Sequence, residues 1–465
     1  MGLKQNVAYK ALLTFSNYIF GFVTFPYVTR ILGPSNFGLV NFAFNTVDYF
    51  LLFATLGITT IGTREIAAAK NNSEKINVTY TRILGLNIWL SAIILIVYII
   101  CIYLVPQFRV TKELFWIGTA KILFSAFAVE WLFTGLENFK YITIRSIIIR
   151  SLYVVSVFIF VRTPSDYLLY FILTIGSVVV NSVVNFIYSK KFVSIVSRDF
   201  FSTYYVKQNF KLGIYTIMTS MYMTFNVMFL GLVSNNDQVA YYSTAVKMYF
   251  IAVNLFSAYT YVMLPRMTSL KSLSNEEQFS KYLSMSFNFV MLFAFPVIIF
   301  CIMQASQIIC LLSGPNYENA ILPMRILMPA LFLVWLSQVM VLQGLLPLKL
   351  DNIPVKASIL GGVVSLLINF TLTSDYGAVG SALTLVGCEI AVTLYYVFII
   401  RRNKYIKLPS LLKVGKYLII SIPFVGLSYI ANLFNEVLIS LFVGFSLYAV
   451  YLYIMIKITK KKLLL

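Results

Sequence analysis

Four ionisable side chains lie deep inside long apolar stretches of this 465-residue chain. Asp48 lies roughly 17 Å and Lys247 roughly 12 Å from the nearer end of its stretch, at the helical rise of about 1.5 Å per residue. Glu130 lies in the inner half of a third stretch, and Glu389 lies near the middle of a fourth. Charges at such positions are expensive and usually face protein or water, where they bind ligands or exchange protons. We therefore expect these four residues to carry chemistry.

The two charges of opposite sign, Asp48 and Lys247, could meet. An offset of 202 residues, described below, aligns Lys247 with Asn45, which lies one helical turn from Asp48. We expect Lys247 and Asp48 to approach each other across a central cavity. A structural ion pair that only holds two halves of the protein together is the alternative.

The carboxylates also suit the exchange of protons or other cations. Asp48, Glu130 and Glu389 are the candidates for ion coupling. A capped or paired structural carboxylate is the alternative for Glu130 and Glu389. Lys121 and Arg325 lie near the outer ends of their stretches, where snorkelling to the interface explains them as well as ligand binding does.

Amide side chains form a second group of candidates, because they could bind a hydroxyl-rich ligand. Hydrogen bonding between helices is the alternative, and it applies also to Gln338. The amides on the helices that we expect to face one another are Asn17, Asn41, Asn45, Asn226 and Asn254. Arg30 ends the first apolar stretch and is a candidate for the mouth of the same cavity.

Several kinds of chemistry are excluded by what the sequence lacks. It contains no histidine, and its four cysteines have no metal-ligand spacing, so we expect no metal and no cofactor. It has no P-loop with which to use ATP, and no nucleophile elbow or His-based triad. We therefore expect a transporter rather than an enzyme, powered by an ion gradient, the membrane potential or downstream consumption of its product.

The elements that position these residues are membrane-spanning helices. The chain is 60% hydrophobic and only 11% charged, whereas a soluble protein carries about a quarter charged residues. Apolar stretches of about 20 residues, long enough to cross a bilayer, recur throughout. We predict an all-α polytopic membrane protein with fourteen spans: 11–32, 37–63, 83–105, 114–136, 146–161, 167–189, 212–233, 239–264, 283–303, 320–346, 354–373, 378–400, 414–433 and 437–456.

The basic residues indicate an orientation. Most of the 36 Lys and Arg residues fall on the side of the N-terminus, and the segments of the other side hold only Arg30, Arg109, Lys112 and Arg162. The positive-inside rule then places both termini in the cytoplasm. The net charge of +20 needs no nucleic acid partner, because basic loops that face an anionic inner leaflet explain much of it.

Two segments are repeated at a nearly constant offset. KILFSAFAVEWL (121–132) matches RILMPALFLVWL (325–336) at an offset of 204, and LGPSNFGLVNFA (32–43) aligns with SNNDQVAYYSTA (234–245) at 202. Spans one to six then recur as spans seven to twelve, in two lobes related by a pseudo-two-fold axis along the membrane normal. We predict lobes at 1–198 and 199–404 and two further spans in 405–465. Similarity of apolar composition alone is the alternative.

Three motifs resemble one transporter family. They are PYVTRILGPSNFG (26–38), VEWLFTGLENF (129–139) and AYYSTAVK (240–247). Together with the length and the span pattern, they look like the bacterial polysaccharide repeat-unit flippases of the Wzx type. That group belongs with the MATE-type multidrug exporters and the lipid II flippases.

The resemblance implies a V-shaped pair of six-helix lobes around a cation-lined cavity. Such proteins move an undecaprenyl-pyrophosphate-linked oligosaccharide, such as an O-antigen unit, from the inner to the outer leaflet of the bacterial plasma membrane by alternating access. The cavity residues carried over would be Arg30, Asp48 and Lys247, although only Lys247 is a deep cation. Besides the lipid bilayer, the implied partners are a polysaccharide polymerase and a chain-length regulator.

Two other functions are weighed against this one. A MATE-like, cation-coupled exporter of small amphipathic compounds is disfavoured, because a basic cavity would repel cationic drugs. A glycan polymerase or ligase is disfavoured because the longest outward segment, around 304–319, is short.

Overall fold

The structure is a computed structural model that describes residues 3–196, 200–220, 224–434 and 436–463. Within these ranges the regular structure is helical throughout. The chain divides into two compact units, Met1–Val239 and Ala240–Leu465, called unit 1 and unit 2 below. The predicted division into lobes at 198/199 and 404/405 concerns internal repetition rather than packing, and it stays a prediction.

Unit 1 contains ten helices and the start of an eleventh among its described residues. They are α1 (Leu3–Thr55), α2 (Ile58–Ala69), α3 (Ser73–Leu104), α4 (Pro106–Val110), α5 (Lys112–Ser125), α6 (Glu130–Gly135), α7 (Phe139–Phe160), α8 (Tyr167–Ser189), α9 (Thr203–Ser220), α10 (Thr224–Val233) and the first turn of α11 (Asn236–Ser272). The fifth predicted span, 146–161, begins earlier in the structure, at Phe139.

Unit 2 continues from α11 to the last described residue. Its further helices are α12 (Glu276–Met303), α13 (Ala305–Ser313), α14 (Ile321–Leu327), α15 (Ala330–Gln338), α16 (Asn352–Ile368), α17 (Ser374–Asn403), α18 (Leu411–Ser421), α19 (Pro423–Asn432) and α20 (Val437–Leu463). Two π-helical segments, Val339–Leu345 and Asn369–Thr373, follow α15 and α16.

The expected all-α membrane architecture is confirmed. Ten of the described helices are long and apolar enough to cross a membrane, and a pair of helices bent by 47° at 328–329 makes an eleventh candidate. Two candidates each contain two predicted spans: Gly33 (φ 70°) interrupts α1, and Gly377 (φ 54°) interrupts the run from Asn352 to Asn403. Glycine adopts such positive φ angles without the steric cost of a Cβ. The count of fourteen stays a prediction, since the seventh predicted span includes residues 221–223, outside the described ranges.

Helix α1 packs closely against its neighbours in unit 1 because they present glycines to it. A Cβ added to Gly118 of α5 would lie 2.5 Å from the Val47 side chain, and one added to Gly231 of α10 would overlap the Phe42 ring. Small residues allow this close approach of helices in membranes, where dispersion rather than the hydrophobic effect drives packing. The close packing holds the second half of α1 at the centre of unit 1.

In unit 2 the two C-terminal helices pack against α12 and α13. The Tyr448 ring lies 5.1 Å from the Phe300 ring, between centroids. Polar contacts add to this packing, because the Gln307 Nε2 group donates to Asn432 Oδ1 at 2.9 Å. The described helices of the segment 405–465 therefore pack within unit 2.

The segment after α8 is hydrogen-bonded to one face of α3. The backbone N–H of Ser194 donates to Asn77 Oδ1 at 2.9 Å, and the backbone N–H of Val196 donates to Thr81 Oγ1 at 3.0 Å. One turn further along α3, the Phe200 carbonyl oxygen packs against Gly85, at the place where a Cβ would otherwise lie. Positions 77, 81 and 85 share one face because they are four residues apart. The start of the basic segment 190–211, called the connector below, is thus held against α3.

We predict that Gly85→Ala loosens this connector. The new methyl group would overlap the Phe200 carbonyl oxygen, and backbone cannot give way as a flexible side chain can. Trypsin cleavage after Lys190 or Lys191 should then accelerate by about tenfold, because local opening governs proteolysis of a docked segment. Gly176→Ala is the matched control, since a Cβ there meets no heavy atom within 4 Å. Equal cleavage of both variants would contradict the anchoring.

Candidate functional site

The deepest carboxylate of unit 1 forms an ion pair. Lys121 Nζ of α5 lies 2.5 Å from Asp48 Oδ1 of α1. The Lys121 side chain is only 6% exposed, whereas Asp48 is 30% exposed, so the carboxylate is the accessible partner. The ammonium also lies over the Phe44 ring, 3.7 Å from its centroid. A buried cation that has both a carboxylate and an aromatic face is well compensated for its lost hydration.

Asp48 continues a polar stripe on α1. Asn41, Asn45 and Asp48 are spaced by four and three residues, so they lie on one helix face, and all three are half-buried. Each asparagine Nδ2 group donates to a carbonyl one turn earlier: Asn41 to Phe37 O and Asn45 to Asn41 O, both at 2.8 Å. One N–H of each amide is thereby used within the helix, and the side-chain oxygen remains as an acceptor beside the second N–H. The stripe therefore presents acceptor oxygens, which suits a ligand rich in hydroxyl donors.

The other predicted residues of unit 1 lie on α1 and α10. Arg30 is exposed and precedes the interruption at Gly33 by less than one turn. Asn17 is half-buried near the start of α1, and its shielded Oδ1 accepts no hydrogen bond from the described part of the chain. Asn226 is fully buried on α10. Helix α1 thus positions five of the predicted residues, whereas Asn226 belongs to a neighbouring helix.

Glu130 is paired, as the structural alternative proposed. The Arg145 Nη2 group of α7 lies 2.9 Å from Glu130 Oε2. Arg145 is 4% exposed, and it also donates to Asn185 Oδ1 and to the Ser146 hydroxyl. Tyr141 donates to the same Asn185 oxygen at 3.1 Å. We call Glu130, Tyr141, Arg145, Ser146 and Asn185 the Arg145 network.

The Arg145 network stabilises an interruption of the fourth predicted span. Helix α5 ends at Ser125 and α6 begins at Glu130, with Val129 in the left-handed region at φ 33°. The interruption frees backbone carbonyls, which must be satisfied by other donors in an apolar surrounding. Asn185 Nδ2 donates to Ala128 O at 2.5 Å, and Asn87 Nδ2 donates to Ala126 O at 3.3 Å.

Unit 2 holds the remaining predicted residues. Lys247 is exposed on α11 and Asn254 is half-buried on the same helix. Gln338 donates from Nε2 to the Ser257 hydroxyl at 2.9 Å, which is the interhelical hydrogen bond of the alternative interpretation. Glu389 is buried in α17. The expected approach of Lys247 to Asp48 stays a prediction, because the two residues belong to different units.

The two cations that open the repeated segments have different roles. Lys121 is buried and paired with Asp48, so snorkelling does not describe it. Arg325 is exposed and donates from Nε to the Ile302 carbonyl at 3.2 Å. The offsets of 202 and 204 align Asp48 with Phe250 and Ala252, so unit 2 has no equivalent carboxylate. Sequence reasoning missed this pair, although two opposite charges within apolar spans, Asp48 in the second and Lys121 in the fourth, were a usable signal.

The chain shares its fold with solved structures of membrane transporters. The structure aligns with a lipid II flippase in an inward closed conformation with a TM-score of 0.76 at 14% identity, over 97% of this chain and 99% of that chain. It aligns with an inward-facing MATE family transporter with a TM-score of 0.63 at 15% identity, over 83% and 94% of the two chains. At such identities the likeness is one of fold.

Sequence comparison gives the family. A family model described as polysaccharide biosynthesis protein matches residues 3–271, more than half of the chain, and the chain belongs to this family. A putative O-antigen transporter of Escherichia coli (strain K12) is 29% identical over 409 residues, which are 87% of this chain and 98% of that protein. One of Shigella dysenteriae is 25% identical over 405 residues, 84% and 98% of the two chains. The resemblance expected from the sequence is confirmed, and so is a transporter rather than an enzyme.

Proposed function

We propose that this protein moves undecaprenyl-pyrophosphate-linked oligosaccharide units, of an O-antigen or a similar surface polysaccharide, from the inner to the outer leaflet of the bacterial plasma membrane. The observation that carries the proposal is the match to a putative O-antigen transporter over 98% of that protein's length. Alternating access is the proposed mechanism, as in other transporters built from repeated halves. The orientation expected from the basic residues places both termini in the cytoplasm, where such units are made.

The chemistry of the polar stripe on α1 supports this substrate. Sugars present many hydroxyl donors, and the Asn41, Asn45 and Asp48 side chains offer acceptor oxygens on one helix face. We propose that these residues bind the glycan together with Asn17, Asn226 and Asn254. A pyrophosphate requires cations, and we propose Arg30 and Lys247 for that role, both of which are exposed. The polymerase and the chain-length regulator would act on the delivered units.

The leaflet in which the lipid-linked unit accumulates tests the proposal. Deletion of the gene in a glycan-producing bacterium should trap the unit in the inner leaflet, where a membrane-impermeant lectin added to spheroplasts cannot reach it. Purified protein in liposomes should then expose the same lipid to the lectin. Outer-leaflet accumulation of unpolymerised units would instead indicate a polymerase. Normal surface glycan with altered drug resistance would indicate an exporter of small amphipathic compounds.

A further inference from the structure

Glu389 differs from the other two carboxylates considered for ion coupling. Asp48 is paired with Lys121, and Glu130 with Arg145. Glu389 exposes only 9% of its surface, and among the described ranges its carboxyl group has neither a hydrogen bond nor an ion pair. An ionised carboxylate buried in this way is expensive, whereas a protonated one needs only a hydrogen-bond acceptor.

Glu389 lies on α17, in the twelfth predicted span. Two contacts fix its level relative to the neighbouring tenth predicted span. The Thr393 hydroxyl lies 3.0 Å from the Ser337 hydroxyl, and further along both segments a Cβ added to Gly344 would lie 2.7 Å from Ile406 Cδ1. The two segments therefore run in the same direction. Glu389 precedes Thr393 by one turn, about 6 Å, on the same face of α17. It lies level with the bend between α14 and α15, which both pack against α17.

The bend supplies hydrogen-bond acceptors. Helix α14 ends at Leu327 and α15 begins at Ala330, and the two are bent by 47°. Pro329 lies at the bend and has no N–H, so the Arg325 carbonyl loses the helical hydrogen bond that it would otherwise accept. A carbonyl can pair only with a donor. Glu389 is such a donor when it is protonated, and only an acceptor when it is ionised.

Unit 1 shows what a permanent donor does at the equivalent interruption. There, Asn185 of α8 donates its amide to the Ala128 carbonyl at 2.5 Å. The offset of 204 residues that aligns the two interrupted spans also aligns Asn185 with Glu389. One half of the repeat therefore carries an amide, which always donates, and the other half carries a carboxyl group, which donates only with a bound proton.

We propose that Glu389 is the proton-binding site of the transporter and that its protonation state sets the geometry of the bend between α14 and α15. This inference rests on the proposed function. The charged groups on the elements packed against α17 are Arg325 on α14 and Lys356 on α16, both exposed. Helix α15 and the segment Asn369–Thr373 carry no charged residue. Cys388, the neighbouring thiol, is directed to Ser365 of α16. A proton is therefore the occupant that the site fits.

Infrared difference spectroscopy tests the site without transport. Purified protein in lipid is compared between acidic and alkaline pH, and we expect a carbonyl band of a buried carboxylic acid that titrates. Glu389→Gln should remove the band, since the amide mimics the protonated donor without titrating. Glu277→Gln is the matched control, because Glu277 is exposed at the start of α12 and loses the same charge. Persistence of the band in Glu389→Gln would overturn the assignment.

The transport readout uses the lipid-linked repeat unit in liposomes with an imposed pH gradient. We expect the gradient to change the wild-type rate by about tenfold, the usual range for coupling between two sites. Glu389→Gln should show the same rate with and without the gradient, and Glu277→Gln should respond like the wild type. A gradient response in Glu389→Gln equal to that of the wild type would overturn the coupling. If the wild type moves no lipid at all, the proposed function fails, and the infrared band still decides the proton site.

Discussion

Lys121→Ala abolishes repeat-unit translocation if Asp48 belongs to the glycan site. The substitution leaves the Asp48 carboxylate, which is 30% exposed, without the cation at 2.5 Å. The partly buried carboxylate then lacks the charge that compensated its lost hydration. Asp48 is then expected to turn away from the stripe, which removes an acceptor. Lectin accessibility of the lipid-linked unit in liposomes measures the loss.

Lys112→Ala is the matched control for this prediction. It removes the same side chain from the same helix, α5, at an exposed position in its first turn. We expect translocation to be unchanged in this variant. Gel filtration of both variants in detergent, followed by tryptophan fluorescence, shows whether each one is folded.

A double substitution distinguishes substrate binding by Asp48 from a purely structural role of the Asp48–Lys121 ion pair. Asp48→Asn with Lys121→Met removes both charges and leaves groups of similar size, so neither partner stays buried and unpaired. Replacement of a buried pair by neutral groups is often tolerated by the fold. We expect this variant to fold and still not translocate, because the proposed glycan site loses its carboxylate. Recovered translocation would mean that the pair only holds α1 against α5.

Hydropathy was sufficient to predict the helices, but not to predict which side chains pair between them. Apolar stretches predicted the spans because the bilayer requires about 20 apolar residues for each helix. The break predicted between the first two spans, at 33–36, contains the interruption at Gly33. Pairing across 73 residues between Lys121 and Asp48 depends on how α5 packs on α1, and no local pattern records that packing. The repeated motif even suggested equal roles for Lys121 and Arg325, which the missing carboxylate in unit 2 makes different.

Arg145 was missed for a different reason. The fifth span was predicted to begin at 146, whereas α7 begins at Phe139, so Arg145 seemed to lie in a basic loop on the inner side. Asn138 caps the helix, since its Oδ1 accepts from the Tyr141 N–H at 3.4 Å. An N-cap asparagine ahead of an apolar run predicts a helix start. Use of that signal would have placed Arg145 inside the helix and made Glu130 its obvious partner.

Arg145→Ala and Glu130→Ala should both destabilise unit 1 far more than removal of an exposed ion pair. Arg145 is 4% exposed, and its removal leaves the buried Asn185 oxygen with only Tyr141 as donor. The 46%-exposed Glu130 can then return to a polar surrounding, so lost hydrogen bonds and packing account for most of the cost of Arg145→Ala. Glu130→Ala instead leaves the buried Arg145 guanidinium without its carboxylate, and removal of one partner from a buried pair costs about 3–5 kcal/mol. Thermal unfolding in detergent, monitored by tryptophan fluorescence, compares the variants.

Arg64→Ala is the control for removal of an arginine. Its pair with Glu65 is 54% exposed on the arginine side, and exposed pairs contribute only about 0–1 kcal/mol. Equal melting temperatures for Arg145→Ala and Arg64→Ala would contradict the network.

If the prediction holds, the two halves of the protein treat equivalent interruptions differently. Unit 1 closes its interruption with an amide that a buried arginine holds in place, so the interruption stays rigid. The titratable Glu389 at the corresponding position in unit 2 would leave that bend free to respond to a proton.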